Sequence, residues 1–384
     1  MGDHAYSNSA LNTTKRPATR LGIVLQGGGT YGAFALGALL RLLEDPRIQS
    51  GEIEITVASG TSAGAFNAAA LVSGLNKGGP EYAIENLINL WAHIGVDMPG
   101  SKLYNPFWPN IPALDMYNSV EDMNEATTEA TLGFLNATKN PFLVSTAKAI
   151  ALMTGQVNML KEQSWVAEQI RYALNSVLTK ADWDSMRNDQ KTKLHAYTAI
   201  ENPKTKDLSP HLFDQTKLRA KDIVACCSLK FMGHADHHGV VMRDGAYLDN
   251  SCLDDIVHED VTDILAITLH GHPEAANSNF PSSVAAKLKP KTTEIHDDLT
   301  RLLHQKDRDY FLHEIAFHPS PRLMDSSRMN PDKKWLKELE RKGYEAASAW
   351  LDNYANSLSK EDSYTPPSSL PKRKTAVRTM ALAT

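Results

Sequence analysis

Cysteine is scarce: the chain holds three, Cys226, Cys227 and Cys252, two of them adjacent, so no disulfide framework staples this fold and a reducing compartment is the expectation. Long apolar runs are missing too. No stretch approaches the roughly 18 apolar residues that a spanning helix needs, and no basic-then-apolar leader opens the sequence. The expectation is a cytoplasmic protein, peripheral rather than transmembrane where it meets membranes, with signal-independent secretion left open. An excess of positive charge is absent as well. Lys and Arg number 40 against 45 Asp and Glu, a formal net charge of −5, so no global field points to nucleic acid. Internal repeats are lacking. Hydrophobic residues, by contrast, make up 42% of the 384 positions, enough to bury a large core as one big domain or a domain with an insert.

The rest of the chain is organised around the stretch from Leu21 to Leu75. Leu21-Gly22-Ile23-Val24-Leu25 is a short apolar run stopped by Gln26-Gly27-Gly28-Gly29, as a buried parallel strand is. Phe34, Leu36, Leu39, Leu40 and Leu43 then recur at helical spacing, which predicts a helix opening at Gly32 or Ala33. A second run, Ile53 to Ala58, stops at Ser59-Gly60 and leads into a small-residue helix. Strand, glycine turn and helix, twice over, predict βαβ architecture with both turns at one edge of a parallel-rich sheet flanked by helices.

Those two turns carry the chemistry. Gly60-Thr61-Ser62-Ala63-Gly64 has the form of a nucleophile elbow, in which a serine on a tight strand-to-helix turn presents its hydroxyl outward. Helix N-terminal amides near Ser62 favour developing negative charge. Gly27-Gly28-Gly29, followed by Gly32, exposes backbone N–H groups as an anion cradle that an acyl-transfer enzyme can use as an oxyanion hole. The pairing is more specific than either part.

Along the chain, residues 1–20 are polar and read as a flexible tail, and 21–325 as the main domain, with a mostly helical insert at about 78–190. Within the insert, Phe142 to Met153 is the most apolar patch; it reads first as a buried helix, with an interfacial or lid surface that meets lipid as the alternative. Further strands are predicted at His195–Ile200, Asp222–Cys227, Gly239–Met242 and Ile264–Leu269. Arg243-Asp244-Gly245-Ala246 forms an acidic turn at a strand end, and Asn277 to Pro290 reads as a loop. Asn330-Pro331 reads as the cap of a C-terminal helix within 326–358, with Trp335, Leu339, Ala346, Trp350 and Tyr354 on one face. Residues 359–384, with the basic run Lys372-Arg373-Lys374, read as a disordered tail. His234, Asp236, His237 and His238 lack a second ligand group at metal spacing and read as a solvated loop.

Three motifs together, Gln26-Gly27-Gly28-Gly29-Thr30-Tyr31-Gly32, Gly60-Thr61-Ser62-Ala63-Gly64 and Asp244-Gly245-Ala246, make the chain resemble the patatin-like phospholipase family from about Leu21 to about Gly271. The resemblance implies a three-layer α/β sandwich and a serine lipid acyl hydrolase. Its oxyanion hole would be formed by Gly27, Gly28 and Gly29, with Ser62 as nucleophile, Asp244 as base, and Gly32, Gly60, Gly64 and Gly245 shaping the turns. Two departures stand out. The stretch Ala225 to Phe231 lacks the family's proline, and Tyr31 stands where the family usually has Arg or Lys.

The resemblance implies neither cofactor nor metal, and a lipid or membrane-surface substrate; oligomeric state is not legible. The residues themselves leave other readings open. Ser before Asp before His is also the chain order of an α/β-hydrolase triad, with His258, His270, His272 and His296 following Asp244. Gly27-x-Gly29-x-x-Gly32 also fits a dinucleotide loop, although no acidic residue ends the second strand to hold a ribose. A catalytically silent lipid-binding scaffold is the third possibility.

Overall fold

A computed structural model describes residues 19–95, 165–205, 207–228, 235–237, 239–248, 250, 252–269, 294–320, 323, 327–328 and 330–366. The apolar patch at 142–153, the loop expected at 277–290, His234, His238, His270, His272 and the basic run at 372–374 lie outside these residues.

Strand β1 (Thr19–Leu25) leads through the glycine loop into helix α1 (Gly32–Leu43) and the short α2 (Pro46–Gln49). Strand β2 (Ile53–Thr61) runs past the expected stop at Ser59 and hands directly to α3 (Ala63–Gly78), followed by α4 (Pro80–Ile94). Further on come α5 (Trp165–Val177), α6 (Lys180–Asn188), β3 (Lys193–Glu201) and β4 (Leu208–Leu212). Then follow α7 (Ala220–Cys226), β5 (Ala235–His237), β6 (Val240–Asp244), β7 (Asp263–Thr268), α8 (Glu294–Leu303), β8 (Phe311–Ala316) and α9 (Lys333–Tyr354).

One mixed sheet has the order β5-β6-β3-β2-β1-β7-β8, with β4 also on β3. The pairings β3-β2, β2-β1, β1-β7 and β7-β8 are parallel, and those of β3 with β4 and β6 are antiparallel. Helices cover both faces, so the interior strands are apolar on both sides. Leu21, Ile23 and Leu25 of β1 join the larger core beneath α1, α3, α4 and α9, while Val24 joins a second core with Ile295, Leu299 and Leu302 of α8. Helices α1 and α9 touch through bare backbone: a Cβ on Gly37 would lie 1.8 Å from the Glu340 carbonyl oxygen, and one on Gly343 1.9 Å from that of Phe34. Among the described residues no helix is long and apolar enough to cross a membrane.

Several expectations are corrected. Asp222–Cys227 is not a strand: Ala220–Cys226 is helix α7, because the Asp222 carboxylate accepts the Arg219 N–H at 2.7 Å and nucleates a first turn there. Helix α9 is capped by Asp332, which accepts from Lys334 and Trp335, while Asn330 accepts the Asp332 N–H. Its buried stripe is Trp335, Leu336, Leu339, Gly343, Ala347, Trp350 and Leu351, and Tyr354 is exposed. Ala235–His237 is a short strand rather than a loop. The chain is also not a free tail from 359. Asp362 pairs with Arg308 and accepts the Leu312 N–H, Ser363 Oγ hydrogen-bonds His313, and Tyr364 is buried beside α8. Strands β4 and β8 and helix α8 were not expected from the sequence.

Candidate active site

Strand β3 acts as a ruler that brings the two motif strands together. Thr61, the last residue of β2, pairs with Tyr197, and Asp244, the last residue of β6, pairs with the next residue, Thr198. The residue after Thr61 is Ser62, so serine and aspartate meet at one strand position.

Ser62 sits at φ 51° and ψ −130° as the N-cap of α3. A side chain at positive φ costs on the order of 1–3 kcal/mol and is kept only where the surroundings hold it. Here the Ser62 N–H donates to the Cys226 carbonyl at 3.1 Å, Phe66 N–H donates to the Ser62 carbonyl at 3.1 Å, and Cys227 Sγ donates to the same carbonyl at 3.2 Å. The C-terminal end of α7 therefore grips the elbow, which gives the misread segment a part in the site. Gly60 and Gly64 let the turn close: a Cβ on Gly64 would lie 1.9 Å from the Leu25 carbonyl oxygen, and one on Gly60 2.4 Å from the Gly64 carbonyl carbon.

Asp244 is completely buried. Its Oδ1 accepts the Ala246 N–H at 2.9 Å, while Oδ2 is buried with no hydrogen-bond donor in bonding geometry. Desolvation pushes its pKa from 3.8 to about 6, against the lowering effect of the nearby Ser62 hydroxyl, the Ala246 amide and the Thr61 hydroxyl. Because Oδ2 lacks a donor in bonding geometry, we read the Ser62 hydroxyl as a close neighbour rather than a formed hydrogen bond. Gly245 leaves room for Thr61, whose Oγ1 would lie 2.4 Å from a Cβ there. The result is a carboxylate of raised proton affinity, facing a serine, which is what a general base requires.

In the glycine loop, Gly27 N–H is already taken. It donates to Asn250 Oδ1 at 2.8 Å, and Asn250 Nδ2 donates back to the Gly27 carbonyl at 3.1 Å. Gly27 is thus not an open donor as expected; it anchors the loop against Ser62, whose Cβ would lie 2.9 Å from a Cβ on Gly27. The amides of Gly28 and Gly29 have no hydrogen-bond acceptor among the described residues. Gly29 has φ +57°, and a Cβ on it would lie 2.3 Å from the Arg328 carbonyl oxygen, so no other residue fits. Gly32 packs against the start of α3, with the Ala63 Cβ 2.8 Å from where its own would be.

Tyr31 does not face the cradle. Its hydroxyl hydrogen-bonds Ser327 Oγ at 2.6 Å and its ring packs edge-on against Phe317 and Trp335, so it ties the loop to the segment before α9. A cation stands there all the same: the Arg328 guanidinium lies 5.7 Å from the Tyr31 ring centroid. Asn250, Ser327 and Arg328 were missed from the sequence because nothing local marks them.

No described histidine hydrogen-bonds Ser62 or Asp244. His258 is exposed on a 3-10 turn, and His296 is buried with Nδ1 3.4 Å from Glu314 Oε1. A different hydrogen-bonded chain, Ser363 Oγ to His313 Nδ1 at 2.8 Å and His313 Nε2 to Asp263 at 2.9 Å, looks like a triad but joins the C-terminal segment to β7 and β8. Trp350 Nε1 donates into that serine oxygen at 3.2 Å, and His313 and Asp263 are fully buried. All three cysteines are buried free thiols, and burial holds those of Cys226 and Cys227 well above their ordinary pKa. Among the described residues no group of His, Cys, Asp or Glu is gathered in a way that could hold a metal ion.

Comparison with known proteins bears on this geometry. Residues 23–256, well over half of the chain, match the family model described as Patatin-like phospholipase. A comparison with curated proteins gave no match. Among solved structures, the chain is similar to VipD from Legionella pneumophila, at 16% identity and TM-score 0.34, over 88% of this chain and 67% of that one. It is similar also to ExoU in complex with SpcU from the type III secretion system of Pseudomonas aeruginosa, at 16% identity and TM-score 0.29, over 87% of this chain and 52% of that one. The chain spans about half the length of that ExoU structure.

Proposed function

The chain belongs to the patatin-like phospholipase family, and on that premise we propose that it is a lipid acyl hydrolase cleaving ester bonds of phospholipids or related acyl lipids through a Ser62–Asp244 dyad. The observation that carries the reading is a fully buried carboxylate with one unbonded oxygen, set by the register of β3 beside a serine held at φ 51°.

In this mechanism Asp244 takes the Ser62 proton as Oγ attacks the ester carbonyl. The charge that develops on the carbonyl oxygen is received by the Gly28 and Gly29 amides and favoured by the N-terminus of α3. Collapse returns the proton from Asp244 to the leaving alcohol and leaves an acyl group on Ser62. Asp244 then takes a proton from water, whose oxygen attacks the acyl-Ser62 carbonyl. The second tetrahedral oxyanion occupies the same cradle, and its collapse releases the fatty acid and restores the serine hydroxyl. Each part has a residue: base, nucleophile, donors. Of the candidate histidines, the described His258 and His296 form no hydrogen bond to Ser62 or Asp244; His258 is exposed and His296 lies beside Glu314.

The test is hydrolysis of a fluorogenic acyl ester by wild type and by Ser62→Ala. The expected result is loss of activity with the fold retained, and labelling of Ser62 alone by a serine-directed phosphonate. Residual turnover above a few per cent of wild type, or labelling of another serine, would overturn the assignment.

A further inference from the structure

Away from the glycine loop, α5, α6 and the start of α7 line an open hollow of about 480 Å³, within the range of small-ligand sites. Its lining includes Arg171, Lys180, Arg187, Arg219 and Lys221, and no carboxylate. Five cations converging on one hollow is a marked local excess in a chain whose formal net charge is −5. Acids outside the lining stand near it: Arg187 contacts Asp184 at 2.5 Å, and Arg219 lies 3.7 Å from Asp222. Lys180 is exposed and has no ion pair among the described residues. Arg187 is also held in place, donating to the Leu218 carbonyl at 2.9 Å.

We propose that this cavity is a binding site for a phosphate-bearing anion. Guanidinium forks and ammonium groups on several elements match the several oxygens of a phosphate, which a single surface pair does not. Its position gives the site a consequence. Arg219, Ala220 and Lys221 lie at the N-terminal end of α7, and the C-terminal end of that helix holds the Ser62 backbone through Cys226 and Cys227. Seven helical residues span roughly 10 Å. A bound phosphate therefore sits one short helix from the elbow, outside the glycine cradle. The ligand is either a free phosphate compound or the headgroup of an anionic lipid, and the chemistry of recognition is the same for both.

The experiment is a binding measurement, so it stands apart from any hydrolysis at Ser62. The full chain carrying Ser62→Ala, which leaves lipid intact, is titrated calorimetrically with tripolyphosphate. It is also co-sedimented with phosphatidylcholine vesicles with and without phosphatidic acid. Lys180→Glu with Arg219→Glu is expected to weaken tripolyphosphate binding by about tenfold per charge or more. The milder pair Lys180→Gln with Arg219→Gln serves if the first fails to fold. Lys337→Glu with Lys342→Glu, the same charge change on the exposed face of α9, is expected to leave binding within about twofold. Vesicle binding that requires phosphatidic acid and is lost in the cavity variants assigns the ligand to a lipid headgroup. Tripolyphosphate binding without vesicle binding assigns it to a free phosphate compound. No tripolyphosphate binding, or equal loss in the α9 control, overturns the site.

Discussion

The Gly27 backbone and the Asn250 side-chain amide form a two-way hydrogen-bonded pair, 2.8 Å in one direction and 3.1 Å in the other, across 223 residues of sequence. Asn250→Ala removes both of these bonds to the buried Gly27 backbone, at a cost of about 1–3 kcal/mol. The expected outcome is a drop in kcat of about 10- to 100-fold on a soluble ester with KM little changed, because the loop loses its position and not its donors. Steady-state kinetics beside a thermal melt check this. A KM effect alone would contradict it.

The carboxyl of Asp244 is raised from 3.8 to about 6 by burial, so the folded state binds its proton more tightly than the unfolded chain does. The stability this contributes is full below about pH 4 and is lost as pH rises through about 6. At pH 8 the buried carboxylate then weighs against folding by about 3 kcal/mol at most. Asp244→Asn should therefore abolish hydrolysis while raising Tm at pH 8, with the gain shrinking toward pH 4. The wild-type rate on a soluble ester should rise with pH and level off above about 6. An Asn variant no more stable than wild type at pH 8 would count against the buried charge.

The positive φ of Ser62 predicts an ordering among inactive variants. Ser62→Ala keeps the backbone strain, whereas Ser62→Gly relieves it at some cost in chain entropy. Both should be inactive, with the glycine variant about 1 kcal/mol more stable than the alanine variant in urea. The reverse order would mean that the elbow stores no strain.

Two substitutions in the glycine loop should separate. In Gly29→Ala the new Cβ collides with the Arg328 carbonyl, so the loop or the 327–328 segment must shift, and activity should fall by about 10²-fold or more. In Tyr31→Phe the hydroxyl's hydrogen bond to Ser327 is lost, costing about 1 kcal/mol of stability with kcat within a few-fold of wild type. A large kcat loss in Tyr31→Phe would place that hydroxyl in the chemistry instead.

For the histidines that follow Asp244, His258→Ala, His270→Ala, His272→Ala and His296→Ala should each retain most activity. Loss of a triad member costs roughly 10⁴-fold. One folded variant falling that far on a soluble ester would replace the dyad with a triad.

The parts of the fold legible in sequence were those specified locally. The run from Leu21 to Leu25, the glycine stop and the helical spacing of Phe34 to Leu43 all lie within a few residues of one another, and the structure follows them closely. Asp222–Cys227 was misread because a six-residue apolar run has no decisive period; what decided it was the Arg219–Asp222 cap. Strand β8 was hidden by His313 and Glu314, polar residues tolerated in the interior because Asp263 and Thr268 bond them across the sheet. The elbow and the Asp244 turn were readable as motifs, but the loss of Gly27 as a donor was not. It depends on Asn250, a partner no local pattern identifies.

The glycine-to-glycine contact between α1 and α9 bears on the order of folding. Helix α1 follows directly from the glycine loop, and its seat is made by residues synthesised very much later; Tyr344 of α9 reaches back 300 positions to Glu44. Contacts that distant form late, because the intervening chain must close before they are rewarded. A nascent chain that already contains both Ser62 and Asp244 therefore still lacks the Tyr31 bond to Ser327 and the Gly29 contact with Arg328, which arrive only with the segment before α9. The expected consequence is that full hydrolytic competence comes only when these last contacts form, after the sheet is built.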